Sequence, residues 1–293
     1  MYSCRQTLLP VVILAAATIL AGVAAPGSAS AAELEASTVP DGAWVLKVFP
    51  TFYYTSAYFS PEGRALNMDE LSGLLYFEVP VHVQYGVTGS FSVGAIVPLG
   101  WTYQEEEDRT ESLDRFTVRE MWLTLKYRLL TVPLIASSSV RVKIPISDKE
   151  PWEDGLRIGD GQIDLFPMCH WDYFDKTRYW YTQLSAGYNY RFKKDDIKPF
   201  DELIFSGRLG YELFPELRMR MYLCTDLTRF MNGDYPEEDR QFFEKEGDLH
   251  TFGYGVSLWP RPTFRLEVTT RGDWSGTNRF RGMWWGIGFT KIL

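Results

Sequence analysis

The chain has 293 residues and a formal charge of −8; 45% of its residues are hydrophobic and 16% aromatic. An acidic chain is repelled by phosphate backbones, which excludes nucleic acid as a partner. Beyond the N-terminal leader, no stretch offers the ~18 consecutive apolar residues that a membrane-crossing helix requires.

Residues 1–31 read as a secretory signal peptide. Arg5 is the positive n-region, Leu8 to Ala25 is an apolar run, and Ala29-Ser30-Ala31 is a small-x-small cleavage site. The mature chain is expected to begin at Ala32 with a charge of −9, because Arg5 is the only charged residue removed. Cys4 precedes the apolar run, so it is no lipid-attachment cysteine. Cys169 and Cys224 remain; strand parity turns them to opposite faces, which argues against a disulfide.

The mature part, residues 32–293, is expected to form one domain. Its pattern is clearest from Leu74 to Trp101. Leu75, Phe77, Val79, Val81, Val83 and Tyr85 alternate with Tyr76, Glu78, Pro80, His82 and Gln84. Side chains of a strand alternate between two faces, so this segment has an apolar face and a polar face. It exceeds the usual ~5–6 residues of a globular strand and matches the ~9–11 that cross a bilayer when tilted. Twelve such segments are marked, near 43–55, 73–85, 90–102, 116–128, 135–147, 162–174, 178–192, 202–213, 217–229, 248–259, 262–273 and 280–292.

The connectors between them alternate between short turns and longer polar loops. Outer-membrane barrels have this signature, with short turns at the periplasmic end. The expected fold is therefore all-β, a single antiparallel transmembrane β-barrel of twelve strands in the cell outer membrane. Pro80, Pro98, Pro145 and Pro167 fall inside the segments and are expected at bulges or strand ends.

In such a barrel the apolar set faces lipid and the polar set faces the lumen. Parity assigns Glu78 and His82 to the lumen, then Arg141 and Lys143, then Asp164, His170 and Asp172, with Arg191 on the next segment. Arg208 and Glu212 follow, then Arg218, Arg220 and Asp226, and finally Arg265 and Glu267. Opposite charges there can pair with one another, so a self-neutralising interior competes with a solute path. Tyr53, Tyr85, Trp101, Tyr127, Trp171, Tyr173, Tyr190, Trp259, Trp284 and Trp285 fall near segment ends and are expected as aromatic girdles at the headgroup level.

The search for catalysis is negative. His82, His170 and His250 lack metal-ligand spacing, and none has a serine two residues on. No metal, cofactor or enzymatic activity is expected. Gly159 to Asp164 is glycine-rich but opens a strand, so a tight turn is favoured over a calcium loop. The acidic runs Glu105–Asp108 and Glu237–Asp239 belong to expected outer loops, where solvation competes with cation-bridged contact to lipopolysaccharide. Met283, Trp285, Ile287 and Phe289 form a C-terminal apolar stripe of the kind the barrel-assembly machinery recognises, interrupted by Lys291 and ending on Leu293.

Gly159-Asp160-Gly161 with Asp164-Leu165, then Leu184-Ser185-Ala186-Gly187-Tyr188, and earlier Gln84-Tyr85-Gly86-Val87-Thr88 with Val97-Pro98, are distinctive together. In these the chain resembles the outer-membrane barrel family of transporters associated with the MetA pathway of phenol degradation. The resemblance implies a passive channel for small organic compounds, aromatic or hydrophobic ones included; it implies no particular ligand-binding residue. The alternative is a structural or adhesion barrel with a plugged lumen.

Overall fold

The computed structural model describes residues 36–60, 63–67, 73–105, 113–118, 120–146, 162–175, 177–193, 198, 200–231, 248–277 and 279–293. The expected signal peptide at 1–31, Gly159–Gly161 and the acidic runs beyond Glu105 lie outside the described residues.

The segments in chain order are β1 (Trp44–Val48), β2 (Thr51–Phe59), β3 (Ala65–Asn67), β4 (Gly73–Thr88), β5 (Phe91–Glu105), β6 (Leu113–Val118), β7 (Glu120–Leu130) and β8 (Leu134–Pro145). They continue as β9 (Asp164–Asp175), β10 (Trp180–Arg191), β11 (Asp201–Phe214), β12 (Met219–Met231), β13 (Leu249–Arg261), β14 (Phe264–Gly276) and β15 (Arg279–Ile292). All pairs are antiparallel, and β15 pairs with both β1 and β2, which closes the sheet. Trp44 and Leu293 exchange both amide bonds at that seam (2.8 and 3.1 Å).

The barrel has twelve staves. β1 and β2 are one stave, because Val48 opposite Val81 and Thr51 opposite Glu78 lie in one register. Only Pro50, which has no amide to donate, interrupts it. β6 and β7 are likewise one stave running alongside β5. Pro98 stands on β5 where the partner passes from β6 to β7, and its register shifts by one residue there. Pro80 and Pro98 pair directly across β4 and β5. Pro145 ends β8, and the β9–β10 ladder is interrupted opposite Pro167. The prolines thus cluster where a missing amide coincides with a break.

Alternation is cleanest in β9. Asp164, Phe166, Met168, His170 and Asp172 are buried, while Leu165, Trp171 and Tyr173 are exposed to the bilayer. On β12, Met221, Leu223 and Leu227 are exposed and Arg220, Tyr222 and Cys224 are buried. The short turns fall at 89–90, 131–133, 177–179, 215–218 and 262–263, two residues later than expected in the last case. Cys169 faces outward and Cys224 inward; both are free thiols.

The aromatic girdle holds in part. Tyr127, Trp171, Tyr173, Tyr190 and Trp285 are exposed on the outer face, and Tyr85 lies beside Trp44 (ring centroids 4.8 Å); Trp44 and the Trp180–Tyr211 pair (5.2 Å) are not among the expected residues. Tyr53, Trp259 and Trp284 correct the expectation. Tyr53 (6% exposed) and Trp259 (4%) are buried inside, and Trp284 stacks on Tyr53 at 4.2 Å. Each occupies the polar parity of its strand, so nearness to a strand end gave the wrong face.

Aromatic rings inside the barrel lie over glycines of the adjoining strand. A Cβ at Gly210 would come within 2.3 Å of the Tyr181 ring, one at Gly255 within 2.3 Å of Tyr222, and one at Gly282 within 2.5 Å of Tyr53. Glycine is required at these positions because the ring already fills the space a side chain would need.

Candidate functional site

The lumen wall is built from the polar parity of all twelve staves. Among the described residues, three groups of paired charges stand out. Toward the long-loop end, Asp164 on β9 takes Lys143 of β8 at 2.5 Å and Arg191 of β10 at 3.9 Å. Asn189 donates to Asp164 (3.5 Å) and to Glu202 (3.1 Å), and Arg191 also reaches Glu202 at 3.8 Å. Lys143 and Asp164 are nearly fully buried. A buried charge is tolerated where opposite charge and hydrogen bonds compensate its lost hydration.

The second group centres on Glu267 of β14. Arg265 contacts it at 2.6 Å, Arg208 at 3.3 Å, and Tyr222 donates its hydroxyl to the same carboxylate. Arg208 stands on β11, three staves away from β14, so this contact runs through the lumen and not along the wall. The guanidinium of Arg208 also lies 5.0 Å from the Tyr222 ring, and that of Arg265 lies 5.9 Å from Trp259. Above it, Arg271 pairs with Asp226.

The third group lies at the short-turn end. Arg220 of β12 donates to Glu212 of β11 at 2.9 Å, with its guanidinium 5.1 Å from Phe174 and 5.4 Å from Tyr181. These contacts connect β9 through β12 across the interior, so this side of the lumen is occupied by side chains.

On the opposite side stand Lys47, His82 and Arg141. Lys47 is the cross-strand partner of His82, and both Lys47 and Arg141 place positive charge near the ring. Glu78 accepts the hydroxyl of Tyr76 at 2.5 Å. Trp122 and Phe166 meet edge-on at 6.5 Å, with the Lys143 ammonium 6.0 Å from the Trp122 ring. The lumen therefore offers both ring faces and paired charges.

His170 and Asp172 are buried inward-facing residues of β9. Ser139 of β8 hydrogen-bonds the Nε2 of His170 at 2.9 Å. The sequence search looked only two residues along the chain and missed this cross-strand serine. The pair faces the lumen, away from the lipid where a barrel lipase meets substrate, and Asp172 is engaged by the amide of Ala36. Arg218 departs from its assignment. It lies in the turn after β11, with a left-handed backbone (φ 46°), not on a strand. Extending the β12 alternation two residues past its true start put it on a face it does not have.

Sequence reasoning left out Lys47, Glu202, Arg271 and Asp273. Arg271 and Asp273 share the parity of Arg265 and Glu267, so the signal was present. Lys47 was hidden because the first segment is apolar on both faces. Among the described residues there is no group of three metal-ligating side chains.

A protein-family profile described as "Putative MetA-pathway of phenol degradation" matches residues 58–283. The chain belongs to this family. Among solved structures, an outer membrane channel from Pseudomonas putida F1 is similar over 92% of this chain and 100% of its own, with a TM-score of 0.69 at 15% identity. A NanC porin (TM-score 0.49, 10% identity, 84% of this chain and 98% of its own) and the P. putida toluene transporter TodX (0.46, 9%, 91% and 94%) are weaker likenesses that add nothing to this. Comparison with curated protein sequences finds no match. A closed twelve-stave barrel with an apolar outer wall resides in the outer membrane, where its outer face contacts lipid.

Proposed function

We propose that this MetA-pathway family member is a passive channel for small organic solutes that combine an aromatic or hydrophobic body with a polar group. The observation that carries this reading is the interior wall. Paired charges line it beside the half-buried rings of Trp122 and Phe174. A phenol-like solute can rest its ring on these faces while its polar edge exchanges among bound charges, with no covalent step. The family description, with its reference to phenol degradation, supports this solute class. Liposomes holding the purified protein should admit phenolsulfonate, an aromatic anion that bare lipid excludes, faster than protein-free liposomes do and faster than they admit a disaccharide. Entry no faster than into protein-free liposomes would remove the proposal.

The Ser139–His170 pair is read as hydrogen-bonded wall and not as an enzyme, which esterase assays on folded protein check directly. Export by cleavage after Ala31, assembly through the C-terminal strand and lipopolysaccharide contact through the outer loops complete the reading. N-terminal sequencing of the membrane-inserted protein tests the first of these.

A further inference from the structure

One row of register partners winds along the lumen wall from end to end. Arg265, just past the short turn before β14, stands opposite Thr290 of β15, and Thr290 stands opposite Lys47 of β1. Lys47 stands opposite His82 of β4. Through Ile96 and Trp122 the row continues to Lys143 of β8 and Asp164 of β9. It ends on Arg191, the last residue of β10. The strands of a closed barrel are tilted and staggered, so a row at right angles to them climbs the wall as it goes round.

The charge of this row is one-sided. Arg265, Lys47, Lys143 and Arg191 are cations, and Asp164 is the carboxylate among its members. Asp164 is spent on the two cations at the long-loop end, at 2.5 and 3.9 Å. The rows that flank Lys47 and His82 bring no acid beside them. Phe49, Pro80 and Pro98 stand on the long-loop side, and Val45, Gln84 and Gly94 on the short-turn side. Glu78 lies further along β4 and holds the Tyr76 hydroxyl. Glu267 takes Arg265 and Arg208, and the charge of Lys47 acts on it as well, so three cations converge on one carboxylate. Arg141 adds positive charge at the His82 ring. Lys47, His82, Arg141 and Arg265 are half-buried and open to the lumen, whereas Lys143, Asp164 and Arg191 are buried in the wall.

We infer that this row is a basic track that selects organic anions, aromatic carboxylates and sulfonates, over uncharged aromatic solutes. The inference rests on the channel reading and names the polar group that the solute carries. A wall of one sign raises the local concentration of the opposite ion, and rings of Lys and Arg favour anions in a pore. The anionic group passes from Arg141 to Lys47 and on to Arg265, exchanging charge-assisted hydrogen bonds with one cation for those of the next. Ile96 and Trp122, between His82 and Lys143, give the apolar body of the solute a surface along the same line.

The test compares two probes in liposomes, phenolsulfonate and the uncharged phenyl glucoside. Lys47→Gln combined with Arg141→Gln should lower the ratio of phenolsulfonate entry to phenyl glucoside entry severalfold relative to the intact protein. A ratio unchanged in the double variant, including equal slowing of both probes, overturns the track and leaves the channel reading standing. Entry of neither probe above protein-free liposomes, with the intact protein, overturns both. If the double variant does not reach a heat-modifiable folded form, the intact protein decides in a planar bilayer under a potassium chloride gradient. A reversal potential on the chloride side supports the track, and one at zero or on the potassium side overturns it.

Discussion

The two faces of β12 obey different rules. Its outer face carries Met221, Leu223 and Leu227, all exposed, in contact with a liquid that imposes no geometry. Its inner face carries Arg220, Tyr222 and Asp226, each bound to a named partner on another strand. The outside asks only for an apolar side chain of any shape. The inside asks for particular partners, because a polar group turned from water must find its complement. Substitutions on the two faces should therefore fail for different reasons.

The largest effect is expected at the hub. Glu267→Ala takes the shared carboxylate from Arg208 and Arg265 together, and removing one partner of a buried ion pair costs about 3–5 kcal/mol. Urea unfolding of the barrel in detergent measures the loss. The same variant adds positive charge to the lumen and should shift the reversal potential in a salt gradient toward anions; an unchanged potential would place Glu267 outside the ion path. On the other face, Leu223→Arg should cost about 2–4 kcal/mol, the range for a cation turned to lipid near the midplane, without altering selectivity. Equal selectivity shifts from both variants would abolish the distinction between the faces.

A smaller effect is expected where the inner face is set by shape. Gly255→Ala puts a Cβ into the Tyr222 ring and should cost about 1–3 kcal/mol by overpacking. Pairing it with a smaller residue at Tyr222 should recover part of the loss.

How much of this was legible follows from the same contrast. The outer face could be read from sequence because lipid selects one property, apolarity, at every second residue. That is why the twelve segments and the faces of β9, β11 and β12 emerged from alternation alone. The partners could not be read. Arg208 reaches Glu267 through the lumen from three staves away, and Ser139 meets His170 across a ladder, so neither pairing leaves a mark in local spacing. Trp259 and Trp284 misled because an aromatic ring suits the headgroup level and the lumen equally well. The segment before β1 left no trace either: Ala36 to Pro40 has neither period nor charge, and its position comes from what it touches.

The smallest effect separates hydrogen bonding from packing within the inner face. Tyr222→Phe keeps the ring over Gly255 and under Arg208 but removes the hydroxyl that Glu267 accepts. Glu267 retains both arginines, so one hydrogen bond among several is lost, and a cost of about 1 kcal/mol is expected in the same urea titration. A loss as large as that of Glu267→Ala would mean that the hydroxyl, and not the pair of guanidiniums, holds the hub together. A loss near zero would mean that water in the lumen replaces it freely, placing this part of the wall in contact with the permeation path.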